Sequence, residues 1–248
     1  MVYIAIFPAY SSMDMSIVIP TYREETRIKA CLESVLGFCK KNFEKFEVLV
    51  VNDLSGDRTP EIVKGFEKED VKLINNEKRM GKGFAVRTGI LQAKYPFVLF
   101  MDADLATSVE ELGKFLQYTK EYDVVIASRN LPDSDIVVKQ PLHRQFAGKS
   151  FPLIVRFLLL PGIRDTQCGF KLFKTELAKD IVRKQTVFGF AFDTELLFIA
   201  KKLGMKIKEV PVRWVDKGES KLSVIIDVPK MFLDLLKIRL NSLEGKYK

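Results

Sequence analysis

Residues 97–107 have the sequence FVLFMDADLAT, and this stretch decides the predicted fold. Its first five residues are all apolar, which is typical of a β-strand that is buried on both faces. Asp102 and Asp104 follow this strand directly. In α/β proteins, ligands bind in the crevice outside the carboxyl ends of parallel strands. The stretch therefore predicts a central strand that ends in two carboxylates at a binding site.

Apolar runs and amphipathic stretches alternate along the rest of the chain, and they predict strands and helices respectively. Ser108 with Glu111 forms a capping-box pattern that opens one of the helices. Repeated β-α-β units of this size predict an α/β fold, a mostly parallel sheet with helices on both faces. The predicted strands cover residues 16–20, 47–52, 71–75, 97–101, 123–128, 168–173 and 206–214, and the predicted helices cover residues 26–38, 59–69, 83–94, 108–121, 175–184, 194–202 and 228–243.

No internal repeat, low-complexity segment or flexible linker divides the chain. We therefore predict one continuous domain over residues 16–223. Residues 1–15 form an N-terminal extension, and the sequence leaves open whether it is an added strand, a small anchor or the product of a mis-set start codon. Residues 224–248 contain an amphipathic C-terminal helix, which we expect to pack on the domain or on a membrane interface.

The chain has 248 residues, of which 40 are basic and 32 acidic, so its formal net charge is +8. This charge fits nucleic acid, an anionic membrane surface or a phosphorylated substrate as partner. Three cysteines and one histidine exclude a disulfide scaffold and a His-rich zinc site and favour a reducing, cytosolic compartment. The apolar stretches 2–8 and 151–163 are shorter than the roughly 20 residues of a transmembrane helix. The N-terminus lacks the basic region of a signal peptide.

The two aspartates after the central strand are the sharpest chemical feature. Asp102 and Asp104 can face one crevice, and carboxylate oxygens suit a hard cation such as Mg²⁺ or Mn²⁺. Because Mg²⁺ is usually held by one or two carboxylates plus substrate phosphates, the pair predicts a metal site that holds a diphosphate. The alternative is a pair of acidic residues in a solvated turn.

Gly81-Lys82-Gly83 opens the helix that precedes the central strand. Glycine permits a close backbone approach, a helix N-terminus favours anions, and Lys82 adds a positive charge suited to phosphate. We predict that Lys82 lies beside the diphosphate, with an exposed surface lysine as the alternative. The spacing is not that of a P-loop, and no Gly-x-Gly-x-x-Gly follows the first strand, so both of these nucleotide-binding motifs are excluded.

Two other predicted strands end in groups that can recognise a nucleoside. Tyr22 and Glu24 follow the strand at 16–20, where Tyr22 can stack on a base and Glu24 can hold the base or the ribose. Asp53 follows the strand at 47–52 and can accept a hydrogen bond from a nucleobase N–H, with a helix-capping aspartate as the alternative. Three strands that end in acidic or aromatic groups indicate a binding site more strongly than any one of them does.

Basic residues recur after the strand at 123–128, and some of them are expected to be ordinary solvated side chains. Nucleic acid is not a predicted partner, because no recognition helix and no RNA-binding aromatic motif accompanies them. A phosphorylated substrate or an anionic membrane surface fits them better. These residues are Arg129, Arg144, Lys149, Arg164, Lys171 and Lys221.

A set of motifs covers nearly the whole chain, from residue 16 to about residue 240. In order, they are SIVIPTYREE, VVNDLSGD, NNEKRMGKGFAVRTGI, FMDADLAT, VIASR, IRDTQCGFKLF, FAFDTELL and EVPVRWVDKGESKLS. In these motifs the chain resembles family 2 glycosyltransferases with the GT-A fold, and more narrowly dolichyl-phosphate (polyprenyl-phosphate) β-glucosyltransferases. The block DTQCGFKLF at residues 165–173, together with FDTELL, is the most specific part of this resemblance.

The resemblance implies a role for each matching residue. Asp102 and Asp104 would hold the nucleotide and the metal, Mg²⁺ or Mn²⁺, with Asp104 counted among the catalytic residues. Asp193 would act as a base or only position other groups. Arg129, with Arg144 or Lys149, would meet the acceptor phosphate. The nucleotide-sugar site would comprise Pro20, Tyr22, Glu24, Asp53, Lys82, Asp102, Lys171 and Lys221.

The implied reaction is the inverting transfer of a hexose, glucose from UDP-glucose, to dolichyl or polyprenyl phosphate for glycan assembly. The enzyme would sit peripherally on the cytoplasmic face of an anionic membrane, with residues 151–163 and 228–243 either in the interface or in the core. Three alternatives stay open: a mannosyltransferase that uses GDP-mannose, an enzyme that acts on a sugar hydroxyl, and a non-catalytic nucleotide- or lipid-binding protein. Arg23 stands where relatives often carry Asn, and Asn52-Asp53 replaces the commoner Asp-Asp, so base specificity is open.

Overall fold

The computed structural model describes residues 13–137, 151–218 and 224–248. Its strands are β1 Met15–Thr21, β2 Phe46–Asn52, β3 Val71–Asn75, β4 Phe97–Met101, β5 Val124–Ser128, β6 Asp135–Ile136, β7 Phe170–Lys174, β8 Ile207–Pro211 and β9 Arg213–Trp214. Its helices are α1 Ile28–Asn42, α2 Thr59–Lys64, α3 Lys82–Gln92, α4 Leu112–Leu116, α5 at residues 151–158, α6 Thr175–Arg183, α7 Phe192–Lys202 and α8 Val224–Leu243.

The large sheet has seven strands in the order β3-β2-β1-β4-β7-β5-β8. β7 runs antiparallel to its neighbours β4 and β5, and the other pairs in this sheet are parallel. The predicted α/β fold with a mostly parallel sheet is therefore confirmed. Because β1, β2 and β4 are parallel, their carboxyl ends at Thr21, Asn52 and Met101 meet at one edge of the sheet.

Helices cover both faces of this sheet, as the alternation of side chains along each strand requires. On β1, Ile17 and Ile19 belong to the core that α1, α2 and α4 cover, whereas Val18 belongs to the core that α3 and α5 to α8 cover. Both cores consist of aliphatic and aromatic side chains, and their burial is the main favourable contribution to folding. The sheet thus holds its strand ends in a fixed frame between two apolar layers.

Several predicted boundaries are wrong, for local reasons. The capping box is absent, because no side-chain cap bond forms at Ser108 and Glu111 instead accepts a hydrogen bond from Lys114 Nζ at 2.7 Å. A 3₁₀ turn stands at Val109–Glu111, and α4 ends at Leu116 rather than at residue 121. The strand predicted over residues 206–214 is split into β8 and β9, and β9 pairs with β6 in a separate ribbon.

Two helices keep apolar side chains on the surface. Phe157 on α5 is 88% exposed and Leu233 on α8 is 66% exposed, while Phe151 and Phe232 place the two helices in contact with ring centroids 6.0 Å apart. We call the exposed set the apolar ridge. It consists of Leu153, Phe157, Leu233, Leu236 and Leu240.

Gly89 on α3 shows how closely this helix approaches the sheet. A Cβ atom at Gly89 would lie 2.3 Å from Val18 Cγ1 and 3.1 Å from Val51 Cγ2. We expect Gly89→Ala to lower the free energy of unfolding by about 1–3 kcal/mol, because the core has no room for the methyl group. Chemical denaturation monitored by circular dichroism measures this change.

Gly37 on α1 is the matched control, since nothing lies within 4 Å of a Cβ built there. We expect Gly37→Ala to raise the free energy of unfolding by about 0.5–1 kcal/mol, the usual gain of alanine over glycine in a helix. Equal effects of the two substitutions would contradict the close packing of α3 on β1 and β2.

Candidate active site

One cavity of about 890 Å³ opens at the edge where the parallel strands end. The structure brings together here most of the residues that the sequence singles out, although they come from distant parts of the chain. Fixed by the strand ends and by α3, these side chains form one chemical site. They are Pro20, Tyr22, Glu24, Asp53, Lys82, Asp102, Asp104 and Arg129.

An ion pair between the start of α3 and the end of β4 lines the cavity. Lys82 Nζ lies 2.7 Å from Asp102 Oδ1 and 2.9 Å from Asp102 Oδ2, and both side chains are about one-third exposed. Burial works against the charged ammonium, but the charges of Asp102 and Asp193 outweigh it and raise the pKa of Lys82. Lys82 therefore carries its positive charge at neutral pH, at a point where an anion can reach it.

Asp104, the second carboxylate after β4, lies close enough to this pair to feel the charges of both Asp102 and Lys82. Burial, followed by the negative charge of Asp102, raises its pKa, although its side chain accepts a hydrogen bond from the backbone N–H of Ala106 at 2.9 Å. Two carboxylates that repel each other favour a cation between them. This is the electrostatic property expected of a cation site.

The two aspartates fit a divalent cation whose coordination is completed by a substrate. In the part of the chain that the structure describes, no group of three His, Cys, Asp or Glu side chains forms a ready metal site. Asp102 and Asp104 would supply two carboxylates, and Mg²⁺ commonly takes one or two carboxylates and completes its shell with phosphate and water. The donor set therefore suits Mg²⁺ or Mn²⁺ together with a diphosphate.

Asp102 is placed by the turn before β7. Its backbone N–H donates to the carbonyl oxygen of Gly169 at 3.0 Å, and a Cβ atom at Gly169 would lie 2.1 Å from Asp102 Oδ2. Any side chain at residue 169 would collide with this carboxylate. The glycine of the block at 165–173 is thus explained by the space that Asp102 needs.

A second, buried ion pair lies behind the cavity. Lys171 is fully buried, and its ammonium contacts the carboxylate of Asp193 and also donates to the carbonyl oxygen of Cys168 at 2.9 Å. Neither Lys171 nor Asp193 lines the cavity. In this arrangement the positive charge of Lys171 balances the negative charge of Asp193. The roles suggested for the two residues stay predictions.

Asp53 supports a loop rather than standing free. Its Oδ1 accepts hydrogen bonds from Asn76 Nδ2 and the backbone N–H of Met80, both at 3.0 Å, and its Oδ2 accepts from the backbone N–H of Gly81 at 2.8 Å. Asp53 therefore fixes the backbone that leads directly into Lys82. Its suggested contact with a nucleobase stays a prediction.

Strained backbone follows the predicted site residues at three strand ends. Arg23, Leu54 and Leu105 have positive φ values of 54°, 57° and 54°. Non-glycine residues rarely adopt this conformation, and such strain concentrates at functional sites. Each strained residue comes directly after a residue that lines the cavity, so the strain is concentrated beside the candidate site.

Residues that the sequence analysis did not select also line the cavity. Arg79 lies over the ring of Tyr22, with its guanidinium carbon 4.0 Å from the ring centroid, which makes an aromatic and cationic platform. Trp214 also lines the cavity, and its ring centroid lies 5.5 Å from the guanidinium carbon of Arg129. Both residues stand inside quoted motifs, but nothing in their spacing indicates that they face the site.

Arg129 is held rigidly beside Trp214. Its Nε and Nη2 donate to the two oxygens of the fully buried Asp165 at 2.7 and 2.9 Å. Burial disfavours the charged form of Asp165, but Arg129 outweighs this effect and lowers the pKa of Asp165. The pair fixes the guanidinium geometry, while about a quarter of the Arg129 side chain stays exposed to the cavity.

The remaining predicted cations lie outside the described residues. Arg144, Lys149 and Lys221 fall in the ranges 138–150 and 219–223, so their suggested contacts stay predictions. Among the helices that the structure describes, none is long and apolar enough to cross a lipid bilayer.

Comparisons with known proteins indicate the family of this chain. The family model described as Glycosyl transferase family 2 matches residues 16–182. The dolichyl-phosphate beta-glucosyltransferase of Trichomonas vaginalis is 37% identical, over 96% of this chain and 76% of that protein. The human dolichyl-phosphate beta-glucosyltransferase is 34% identical, over 94% of this chain and 77% of that protein.

A solved structure supports the fold independently. The mannosyl-3-phosphoglycerate synthase from Rubrobacter xylanophilus superposes with a TM-score of 0.69 at 17% identity, over 95% of this chain and 76% of that chain. At this identity the likeness concerns the fold alone. The family match, the identities and the fold lead to one conclusion: this chain belongs to glycosyl transferase family 2 and is a glycosyltransferase with the GT-A fold.

Proposed function

We propose that this enzyme transfers glucose from UDP-glucose to dolichyl phosphate, with inversion at the anomeric carbon. The observation that carries the proposal is the order of groups in one cavity. Tyr22 follows β1, the two aspartates with Lys82 lie at the end of β4, and Arg129 follows β5, and these strands stand in the order β1-β4-β7-β5 in the sheet. The names of relatives that are 31–37% identical support glucose as the sugar and dolichyl phosphate as the acceptor.

The donor half of the cavity suits a nucleoside diphosphate. The uracil ring would stack on Tyr22 beside Arg79, and Glu24 would accept a hydrogen bond from the ribose. The diphosphate would then reach Lys82, whose ammonium leaves Asp102 in part to bind a phosphate oxygen. A divalent cation bound by Asp102 and Asp104 would neutralise the charge that develops on the leaving UDP.

The acceptor half explains why no strong base is needed. A phosphate monoester has a second pKa near 6 and is largely dianionic at neutral pH. Its oxygen would attack C1 of glucose while the bond from C1 to the UDP oxygen breaks, so that UDP leaves with the electron pair. Arg129, fixed by Asp165, would orient the attacking phosphate. Asp193, which is paired with Lys171, need not accept a proton.

The apolar ridge fits a membrane surface as partner. Arg156, Lys230 and Lys237 are exposed on the same two helices, where they can meet anionic headgroups while the ridge enters the interface. A second cavity of about 270 Å³ reaches from Leu233 to Phe190 and Gly189, which also line the active-site cavity. We propose a location on the cytoplasmic face, with the lipid acceptor approaching from α8.

The direct test is a transfer assay with a short-chain polyprenyl phosphate. The protein is incubated with radiolabelled UDP-glucose, and separately with GDP-mannose, and the lipid is extracted. We expect label in the lipid from UDP-glucose only. Label from GDP-mannose alone, or transfer only to a sugar hydroxyl, would contradict the proposed reaction.

The first variant tests Asp104, whose pKa is raised in the folded protein. When folding raises the pKa of a carboxyl group, the folded protein loses stability as the pH rises from the ordinary pKa, 3.8 for Asp104, through the raised pKa. At neutral pH the charged Asp104 therefore destabilises the fold. We expect Asp104→Asn to raise the melting temperature at pH 7, with a gain that shrinks on acidification, and to lower kcat about 100-fold or more.

Calorimetry and the transfer assay measure the two effects on Asp104→Asn. Asp180→Asn, an exposed carboxylate on α6 that pairs with Arg183, is the control and is expected to change neither. A variant at Asp104 that keeps full activity would exclude a role for this carboxylate in the reaction.

The second variant tests the acceptor end. Arg129→Lys keeps one positive charge near Asp165 but loses the two-point contact that fixes the guanidinium. We expect the KM for the polyprenyl phosphate to rise about tenfold and the KM for UDP-glucose to stay unchanged. Arg164→Lys is the control, because Arg164 directly precedes Asp165 in the sequence and is exposed. An increase confined to the donor KM would reject the assignment of Arg129.

The third variant tests the membrane surface. We expect Leu236→Asp to weaken binding to vesicles of phosphatidylcholine and phosphatidylglycerol about tenfold or more, because an apolar side chain worth about 1.5–3 kcal/mol is replaced by an anion. Vesicle co-sedimentation measures the change. Leu91→Asp, an exposed leucine on α3 outside the apolar ridge, is the control. Identical vesicle binding of both variants would argue against the ridge.

A further inference from the structure

Glu195 is a fully buried carboxylate in the first turn of α7, behind the active-site cavity. It accepts hydrogen bonds from the backbone N–H of Thr186 at 2.9 Å, from Thr186 Oγ1 at 2.6 Å and from the backbone N–H of Val187 at 2.7 Å. The hydroxyl of Tyr247 donates to it at 2.6 Å. A buried carboxylate is tolerated only where such donors replace its lost hydration.

These bonds hold one side of the 185–190 segment, which connects α6 to α7. The other side of the same segment holds the backbone around Lys82. The carbonyl oxygen of Phe188 accepts a hydrogen bond from the N–H of Gly83 at 2.9 Å, and Gln185 Nε2 donates to the carbonyl oxygen of Gly83 at 3.2 Å. The 185–190 segment thus lies between Glu195 and the start of α3.

The contact with the start of α3 is tight on both sides of Lys82. Gly81 has a φ of +100°, and a Cβ atom there would lie 2.6 Å from the carbonyl oxygen of Phe188. A Cβ atom at Gly83 would lie 2.5 Å from Phe192 Cβ. The 185–190 segment at Gly81 and α7 at Gly83 therefore leave little space around the backbone on either side of Lys82.

Tyr247 joins the end of the chain's last helical region to this arrangement. It is buried, and its ring packs edge-on against Phe198 with centroids 6.0 Å apart. Asn241 Nδ2 donates to Thr186 Oγ1 at 2.9 Å, so two residues at the end of α8 and beyond reach the same threonine and carboxylate. Burial, followed by the hydrogen bond to Glu195, raises the pKa of Tyr247 to about 12, and the hydroxyl remains a donor at neutral pH.

We propose that Glu195 and Tyr247 are positioning residues for Lys82, acting through the 185–190 segment on the affinity for the donor diphosphate. The inference rests on the proposed function of Lys82 as a diphosphate ligand. Glu195 lies on α7 and Tyr247 follows α8, so the site is tied to two elements that do not line the diphosphate position. The distance from Glu195 to Lys82 is bridged by hydrogen bonds and not by direct contact.

Loss of the Tyr247 hydroxyl leaves one acceptor position of the buried carboxylate without its donor. The carboxylate then shifts towards the remaining donors at residues 186 and 187, and the carbonyl oxygen of Phe188 moves with them. Lys82 keeps its charge but no longer meets the diphosphate in the fitted geometry. The expected consequence is weaker binding of a uridine diphosphate and unchanged affinity for the acceptor.

A double-mutant cycle on the full chain tests this coupling, because residues that act through one network give non-additive changes. UDP binding in the presence of Mn²⁺ is measured by calorimetry for the wild type, Tyr247→Phe, Lys82→Met and the double variant. We expect Tyr247→Phe to weaken UDP binding about 3- to 10-fold when Lys82 is present. In the Lys82→Met background, the same substitution should leave the already reduced affinity unchanged.

Tyr118→Phe is the matched control, since this tyrosine packs on Tyr122 away from the cavity, and it should not alter UDP binding in either background. Glu195→Gln is a second variant, which keeps the shape but cannot accept all the backbone donors, and it should follow the same pattern. Melting temperatures of all variants identify a loss of folded protein, which would lower the number of binding sites and not the affinity of each site.

Two results would overturn the inference. Equal losses of affinity from Tyr247→Phe in both backgrounds would mean that the hydroxyl supports the fold in general and does not act through Lys82. No loss in either background would mean that the segment does not position Lys82. A wild-type protein that binds no UDP would overturn the proposed function, and the inference with it, and this outcome is distinct from the other two.

Discussion

The ion pair between Lys82 and Asp102 is the interaction on which the site depends. Asp102 extends from the end of β4, where the close approach of Gly169 fixes its carboxylate, and Lys82 begins α3 between two glycines that contact the 185–190 segment. The pair therefore joins the central strand, the turn before β7 and the first turn of α3. In the proposed reaction a donor diphosphate would enter this balanced charge arrangement, and Lys82 and Asp102 would each exchange part of their contact with the other for contact with the donor.

The mostly parallel sheet, and the edge at which its carboxyl ends meet, could be predicted from the sequence because both follow from local patterns, whereas the strand order was not predicted. The apolar run before Asp102 and the strands that end at Thr21 and Asn52 required parallel pairing, and parallel strands bring their carboxyl ends together. The direction of β7 could not be predicted in this way. An apolar strand has the same pattern in either direction, and β7 runs antiparallel to both β4 and β5.

The role of each residue in the cavity was harder to predict than its presence there. The sequence predicts that Asp53 contacts a nucleobase, yet its oxygens accept hydrogen bonds from the loop before Lys82. These contacts could not be predicted, because Asp53 meets Asn76 and Gly81 only in the folded chain. Lys171 and Asp193 were selected from their motifs, but their mutual ion pair depends on the packing of β7 against α7. Glu195 stands in the motif FDTELL but its role could not be predicted, and Arg79 gave no signal, because a charged residue in a motif does not reveal which way it points.

A structure of the enzyme with UDP and Mn²⁺ bound is the most direct test of the central claim. The account predicts that the diphosphate lies in the middle of the cavity, with a phosphate oxygen about 3 Å from Lys82 Nζ and the metal against the carboxylates of Asp102 and Asp104. A diphosphate bound at a distance from these three residues, with the pair of Lys82 and Asp102 undisturbed, would contradict it.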